Sequence, residues 1–262
     1  MAEITIADLR RMKAEKRKIV MMTAYYYEAA RAIDRAEPDV IMVGDSGGQF
    51  LLGHEDNNDV TMEEMIIMTR SVVRGTRHAL VVGDMPFMSY QVSIEEALRN
   101  AGRLVKETRC DAVKLEGGAE FAPTVAALVK VGINVLGHMG LTPMANSAIG
   151  GYAGGAVLPY EMIRSDALAL QEAGAFATIL TGITPEQAGR VTQELEIPTI
   201  AGYGAGDDCD GQIAVTTGRL GWTVDAIDNP RSKYPSVAKT IYEGAAAFVN
   251  DVRSGVPVRG GR

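Results

Sequence analysis

Two kinds of apolar pattern alternate along this chain. Short, mostly apolar runs bounded by glycine, proline or charged residues predict buried strands, and longer segments with helical spacing predict amphipathic helices. The predicted strands cover residues 19–24, 40–43, 79–82, 112–115, 134–137, 176–180, 198–200 and 213–215. The predicted helices cover residues 26–34, 61–74, 93–108, 121–131, 165–173, 185–195 and 237–252. Because the strand runs are continuous rather than alternating, we expect a parallel sheet that is buried on both faces.

The alternation of strand and helix predicts the fold. About eight such units in 262 residues match the size of a (β/α)8 TIM barrel. We therefore predict an α/β protein with a single barrel domain over residues 1–262, including a C-terminal helix at 237–252. A doubly wound open sheet is the alternative. Its dinucleotide-binding form is disfavoured, because no Gly-x-Gly-x-x-Gly sequence opens the first helix.

Composition argues against several classes of function. The formal net charge is −7 without a basic stripe, which disfavours a nucleic-acid partner. Two cysteines, Cys110 and Cys209, fit a reduced cytoplasmic protein better than a disulfide-bonded one. The N-terminus has no signal-peptide pattern, and no apolar run approaches the ~20 residues that cross a membrane. The basic cluster at residues 13–18 is interpreted as a solvated helix end.

Polar residues, most of them ionisable, recur where the predicted strands end, which is where a barrel carries its active site. They are Asp45, Ser46, Asp84, Lys114, Glu116 and His138. Each aspartate either caps the helix that follows or converges with the others on one metal ion. With only three histidines in the chain, carboxylate oxygens predict magnesium rather than zinc. Lys114 either forms a salt bridge or donates to an oxyanion or substrate carboxylate, and His138 is either a satisfied core residue or a substrate contact.

Two glycine-rich stretches, at 145–157 and 202–206, suggest a phosphate-binding loop. Neither is followed by Gly-Lys-Ser or Gly-Lys-Thr, so a Walker loop is excluded. A mobile lid or close backbone packing is the better interpretation.

Six ordered motifs cover nearly the whole chain, from about residue 4 to residue 257. The motifs are Met22-Thr23-Ala24-Tyr25, Val43-Gly44-Asp45-Ser46, Asp84-Met85-Pro86-Phe87, Val113-Lys114-Leu115-Glu116-Gly117-Gly118, Gly137-His138-Met139-Gly140-Leu141-Thr142-Pro143 and Cys209-Asp210-Gly211-Gln212. In sequence and order they resemble the ketopantoate hydroxymethyltransferase family, which belongs to the phosphoenolpyruvate mutase/isocitrate lyase superfamily of barrels.

The resemblance implies a metal ion, Mg²⁺ or in its place Mn²⁺, Co²⁺ or Zn²⁺, held by Asp45 and Asp84 with Glu116 nearby, partly through water. It implies a 2-oxo acid that chelates the metal, and a one-carbon unit supplied by methylenetetrahydrofolate. The family removes a proton beside the ketone and adds that unit. We expect catalytic roles for Lys114, Glu116 and His138. We expect substrate contacts from Ser46, Lys114, His138 and Thr181.

The chain departs from the family pattern at several places. The family's catalytic glutamate, at the end of the sixth strand, is replaced by Thr181, which needs an activating neighbour to act as a base near neutral pH. Met68 stands where the family usually has histidine, and Tyr26 where it has an acidic residue. The segment at 198–206 is one residue longer, and the loop at 55–59 differs. The proton acceptors left open are Tyr26, Tyr203, Glu186, a metal-bound water and the substrate itself.

Three classes of function follow. The first is an aldol-type transferase or lyase that makes or breaks a carbon–carbon bond beside the keto group of a 2-oxo acid. The second is a carbon–carbon hydrolase or mutase acting on an oxaloacetate- or malate-like substrate, an argument by analogy within the superfamily. The third is a non-catalytic paralogue. We also expect a homo-oligomer, because the terminal helix at 237–252 is amphipathic, although the same helix could instead close its own barrel.

Overall fold

Eight parallel strands close into a barrel in the order in which they occur along the chain. The computed structural model describes residues 4–145, 158–229 and 232–257. The strands are β1 (Ile19–Thr23), β2 (Val40–Val43), β3 (Leu80–Asp84), β4 (Ala112–Glu116), β5 (Val135–Gly140), β6 (Ala177–Thr181), β7 (Thr199–Ala201) and β8 (Gly211–Ala214). The helices up to β8 are α1 (Ile6–Ala14), α2 (Tyr27–Asp34), α3 (Met62–Gly75), α4 (Ile94–Thr108), α5 (Ala122–Lys130), α6 (Tyr160–Glu172) and α7 (Pro185–Glu194). The predicted (β/α)8 barrel is confirmed.

Side chains on one face of the strands change from apolar to polar along the strand direction. Leu80 and Val82 on β3 belong to one buried core cluster, and Asp84 occupies the next position on the same face. Alternate residues of a strand share a face. The same change occurs on β6, where Ile179 of that cluster precedes Thr181. The apolar core therefore lies below a polar layer at the carboxyl ends of the strands.

Several strands extend further than the apolar runs predict. β3 includes Asp84, β4 includes Glu116, and β5 continues past His138 to Gly140. The backbone ladder continues through these positions, because Asp84 pairs with Lys114 and Glu116 pairs with His138. The polar side chains are therefore held on strands rather than on loops.

The N-terminal helix α1 was not among the predicted elements. Thr5 and Asp8 form its capping box, and Leu9 and Met12 belong to the same core cluster as the strand residues. Lys13, in its last turn, is not a solvated residue as the basic cluster suggested. Its Nζ lies 2.7 Å from Asp210 Oδ2, so it ties α1 to the segment that precedes β8.

Other boundaries differ by a few residues. The capping box predicted at Thr61 and Glu64 is observed at the start of α3. Strand β8 begins at Gly211, two residues before the prediction. A Cβ at Gly211 would lie 2.4 Å from the Ile19 carbonyl oxygen, so only glycine allows this approach to β1. An apolar pattern does not identify a strand that begins with such a glycine.

Residues 1–213 and 214–262 form two compact units. In the second, α8 (Thr216–Arg219), α9 (Asp225–Asp228) and α10 (Val237–Arg253) follow one another, and the helix predicted at 237–252 corresponds to α10. Ser236 caps α10 and also donates to the Gly221 carbonyl at 3.0 Å. A single domain over the whole chain stays a prediction. Within the three described ranges, no helix combines the length and apolarity needed to cross a bilayer.

Asp34 organises the turn between α3 and β3. Its carboxylate accepts hydrogen bonds from the backbone N–H groups of Arg77, His78 and Ala79 at 2.8–3.1 Å. We expect Asp34→Ala to lower the melting temperature by about 4–12 °C, because three backbone donors, of which that of Ala79 is buried, lose their acceptor at a cost of about 2–3 kcal/mol. Thermal denaturation followed by circular dichroism measures this. Glu172→Ala, which removes an exposed carboxylate, serves as the control, and equal melting temperatures for both variants would contradict the assignment.

Candidate active site

The carboxyl ends of neighbouring strands bring six polar side chains into one buried layer. They are Asp45, Asp84, Lys114, Glu116, His138 and Thr181, each at most 6% exposed. Asp45 lies in the turn after β2, and the others belong to β3, β4, β5 and β6. A continuous series of hydrogen bonds links these residues, with Asp45 joined through its backbone N–H, and we call this series the polar chain.

Lys114 is the cation at the centre of the polar chain. Its Nζ lies 2.6 Å from Asp84 Oδ2 and 2.9 Å from Glu116 Oε1. The backbone N–H of Asp45 donates to the same Asp84 oxygen at 3.1 Å. Lys114 is therefore paired on both sides, as a buried lysine must be.

The carboxylates differ in their affinity for protons. Burial, followed by the Asp84 charge, raises the pKa of Asp45 well above its usual range. Burial also raises the pKa of Asp84, and Lys114 does not fully offset it. Burial acts to raise the pKa of Glu116 too, but Lys114 and His138 outweigh it and lower that pKa. For Lys114, burial acts to lower the pKa, but Asp84 and Glu116 outweigh it and raise it well above its usual value.

Asp45 and Asp84 fit a divalent cation. Asp45 Oδ2 and Asp84 Oδ1 are buried side-chain oxygens without a hydrogen-bond partner, and both groups have raised pKa values. A cation would satisfy both oxygens and relieve the repulsion between them. Both Glu116 oxygens, in contrast, accept hydrogen bonds from protein donors. In the parts of the chain that the structure describes, no group of three or more His, Cys, Asp or Glu side chains is arranged to hold a metal.

His138 connects Glu116 to Thr181. Its Nδ1 lies 2.9 Å from Glu116 Oε1, and its Nε2 lies 2.8 Å from Thr181 Oγ1. Glu116 also accepts from Lys114 Nζ and from the backbone N–H of Met144. The carboxylate is thus an acceptor throughout, so the hydrogen-bond network assigns a proton to His138 Nδ1.

Tyr90 fixes the carboxyl end of β4, and the sequence analysis did not identify it. Its hydroxyl donates to the Glu116 carbonyl at 2.9 Å and accepts from the Glu116 N–H at 3.1 Å. The ring is 2% exposed and packs edge-on against Phe121. Nothing in the apolar pattern distinguishes Tyr90 from an ordinary core tyrosine, so only the fold identifies this contact.

Ser46 lies next to the polar chain rather than within it. Its Oγ lies 2.9 Å from the Tyr25 hydroxyl. Asn57, which the sequence analysis did not select, donates to Asp45 Oδ1 at 3.3 Å. Met68 is buried, and a Cβ at Gly47 would lie 2.6 Å from its sulfur, so it fills space behind this turn.

The side chains considered as proton acceptors lie in different surroundings. Tyr203 is 74% exposed. Glu186 is exposed in the first turn of α7, and Tyr26 is half-buried at the start of α2. In contrast, Thr181 lies within the polar chain.

The glycine-rich segment at 145–157 falls, apart from residue 145, outside the described residues.

Comparison with known proteins identifies the family. Residues 3–257 match the model of the ketopantoate hydroxymethyltransferase family. The chain belongs to this family. It is 46% identical over 254 residues to the 3-methyl-2-oxobutanoate hydroxymethyltransferase of Pelobacter propionicus, and the aligned region covers 97% of this chain and 94% of the relative. Its relatives are therefore transferases.

Solved structures with the same fold are more distant in sequence. One is 2,3-dimethylmalate lyase, a member of the phosphoenolpyruvate mutase/isocitrate lyase superfamily, with a TM-score of 0.63, 16% identity and coverage of 99% of this chain and 91% of that chain. Another is phosphonopyruvate hydrolase with oxalate and Mg²⁺, with a TM-score of 0.62, 16% identity and coverage of 95% and 87%. These likenesses confirm the superfamily's barrel fold.

The polar chain depends on the charge of Lys114. We expect Lys114→Met to lower the free energy of unfolding by about 3–5 kcal/mol in the presence of a chelator, because the carboxylates of Asp84 and Glu116 lose their buried counterion. Urea unfolding measures the loss. Lys106→Met on α4, which removes an exposed lysine, should stay within about 0.5 kcal/mol of the parent. If both variants lost the same free energy of unfolding, the charge of Lys114 would not stabilise the fold.

Proposed function

We propose that this protein is a magnesium-dependent enzyme that acts on a 2-oxo acid by carbon–carbon bond chemistry beside the keto group. The parent reaction of its family, hydroxymethyl transfer to 3-methyl-2-oxobutanoate, is the first candidate. Methylenetetrahydrofolate is the expected one-carbon donor. The observation that supports the proposal is the pair of buried oxygens, Asp45 Oδ2 and Asp84 Oδ1, that lack a protein partner.

Asp45 and Asp84 would hold the ion, with Glu116 nearby and partly connected through water. A magnesium ion bound there would supply a Lewis acid that polarises the keto group of a chelating 2-oxo acid. Oxygen ligands of this kind are those that magnesium prefers. The chain's other residues bind and orient the substrate.

Lys114, Ser46 and His138 are the proposed substrate contacts from this protein's own side chains. Lys114 keeps its positive charge, because Asp84 and Glu116 raise its pKa despite burial, and so it offers a permanent cation to developing negative charge. The buried layer also excludes water, since every member of the polar chain is at most 6% exposed. Electrostatic effects are stronger in such surroundings.

Thr181 stands where the family pattern has a catalytic glutamate, and this supports a second candidate function. Carbon–carbon cleavage of an oxaloacetate- or malate-like substrate, by a lyase, hydrolase or mutase, does not require deprotonation of a carbon acid. The 2,3-dimethylmalate lyase, which has the same barrel, acts on a substituted malate according to its name. This is fold-level analogy, and it ranks below the parent reaction for that reason.

A homo-oligomer is also proposed. In the second unit, α10 carries exposed apolar side chains that recur at helical spacing. They are Ile241 (66% exposed), Tyr242 (56%), Phe248 (56%) and Val252 (55%). Such a stripe is typical of a helix that packs against another protein surface. Multi-angle light scattering that returned the monomer mass of 28.0 kDa at micromolar concentration would contradict this.

Magnesium binding tests whether Asp45 and Asp84 form the proposed metal site. We expect titration calorimetry to detect Mg²⁺ binding by the parent, and Asp45→Asn to weaken it at least about tenfold, a loss of about 1.4 kcal/mol. Glu172→Gln, which changes an exposed carboxylate, should bind magnesium as the parent does. No binding by the parent, or equal binding by all three proteins, would contradict the proposed site.

Turnover decides between the two candidate functions. With magnesium, 3-methyl-2-oxobutanoate and methylenetetrahydrofolate, we expect a hydroxymethylated product by mass spectrometry. Cleavage of oxaloacetate or substituted malates without that product would instead support the lyase or hydrolase. Magnesium binding without turnover of any 2-oxo acid would identify a non-catalytic paralogue.

A further inference from the structure

The polar chain ends in an arrangement that the proposed function does not yet use. Glu116, His138 and Thr181 form a carboxylate–imidazole–hydroxyl series, with heavy-atom distances of 2.9 and 2.8 Å. All three are buried. The same order of groups activates the hydroxyl of a hydrolase triad, where the carboxylate orients the ring and the ring accepts the hydroxyl proton.

The direction of these hydrogen bonds follows from Glu116. Its carboxylate is already the acceptor for Lys114 Nζ and for the Met144 N–H, so His138 Nδ1 is the donor to it. In a neutral ring, Nε2 then carries a lone pair and not a proton. Thr181 Oγ1 is 2.8 Å from that atom, and its hydroxyl is therefore the donor.

Glycine backbone from the two neighbouring strands packs closely against the buried Thr181. Gly140 is its partner on β5, and Gly202 follows β7. A Cβ at Gly202 would lie 2.2 Å from Thr181 Oγ1, so any side chain there would collide with the hydroxyl. Neither position supplies a side chain that would cover Thr181.

We infer that Thr181 is the catalytic proton acceptor of this enzyme, with His138 receiving the Thr181 hydroxyl proton and Glu116 acting as a positioning residue. This inference rests on the proposed function, because the proton comes from the carbon beside the keto group of a 2-oxo acid. The sequence analysis left the proton acceptor undecided, and this inference assigns that role to Thr181, whose hydroxyl is hydrogen-bonded to His138.

The step balances within these groups. The C–H bond beside the ketone breaks, and its electron pair forms the carbon–carbon double bond of the enolate, whose charge lies on the keto oxygen. The proton moves to Thr181 Oγ1 as the original hydroxyl proton moves to His138 Nε2. The imidazolium formed faces the Glu116 carboxylate, which stabilises it. Reversal of the same steps in D2O returns a deuteron to the carbon.

Solvent exchange tests the inference without a one-carbon donor. We expect the parent enzyme with magnesium to incorporate deuterium at C3 of 3-methyl-2-oxobutanoate, followed by NMR. Thr181→Val should lower the rate constant at saturating substrate at least about 100-fold, the lower end of the contribution of a positioned general base, with little change in KM. Thr181→Ser keeps the hydroxyl and should stay within about tenfold of the parent.

Matched variants separate chemistry from packing. Thr178→Val makes the same change on the same strand at another fully buried position and should exchange at the parental rate. Gly202→Ala should lower exchange, because its methyl group displaces the Thr181 hydroxyl. Melting temperatures confirm that each variant is folded.

A second measurement needs no turnover. Nitrogen-15 NMR of the metal-free parent should show a protonated Nδ1 and an unprotonated Nε2 at His138, identified among the three histidines by His138→Gln. A proton on Nε2 and none on Nδ1 would overturn the inference but leave the proposed function standing.

The possible failures are distinguishable. If the parent exchanges deuterium into the substrate and Thr181→Val does so at the same rate, the inference is also overturned, while the proposed function stands. No exchange by the parent with any 2-oxo acid would overturn the deprotonating function, and the inference with it.

Discussion

The sharing of one buried ammonium group by two carboxylates is the interaction on which the site depends. Lys114 lies between Asp84 and Glu116 at 2.6 and 2.9 Å, and its charge opposes the rise in pKa that burial imposes on both carboxylates. The two carboxylates differ in what remains to be satisfied. Both oxygens of Glu116 accept from protein donors, whereas Asp84 keeps an oxygen without a partner. One lysine thus divides the layer into a side suited to a cation and a side suited to proton transfer.

Strand register places these two sides. Asp84 pairs with Lys114, and Glu116 with His138, so strand pairing by itself brings Lys114 beside Asp84 and His138 beside Glu116. Tyr90 holds both backbone polar groups of Glu116. Sites on strands are held more accurately than sites on loops. The barrel therefore acts as the positioning device for the polar chain.

Strand β6 ends in a threonine, a hydroxyl rather than a carboxylate, and this limits the proton chemistry at that end of the polar chain. A carboxylate can accept a proton by itself, whereas a hydroxyl requires a base behind it. His138 is already in place, and Glu116 already orients it. His138 and Glu116 thus supply the base that a threonine acceptor requires, and the lack of a side chain at Gly202 leaves room for the hydroxyl.

The sequence by itself determined the barrel, the strand ends that carry ionisable groups and the family, because continuous apolar runs and local motifs are short-range properties. It did not identify α1, whose Leu9 and Met12 gain their meaning only from the core they join. The partners of Lys114, the Tyr90 contact and the alignment of Thr181 with His138 were decided by tertiary structure. Each joins residues on different strands or loops, and such contacts depend on register and closure rather than on local pattern.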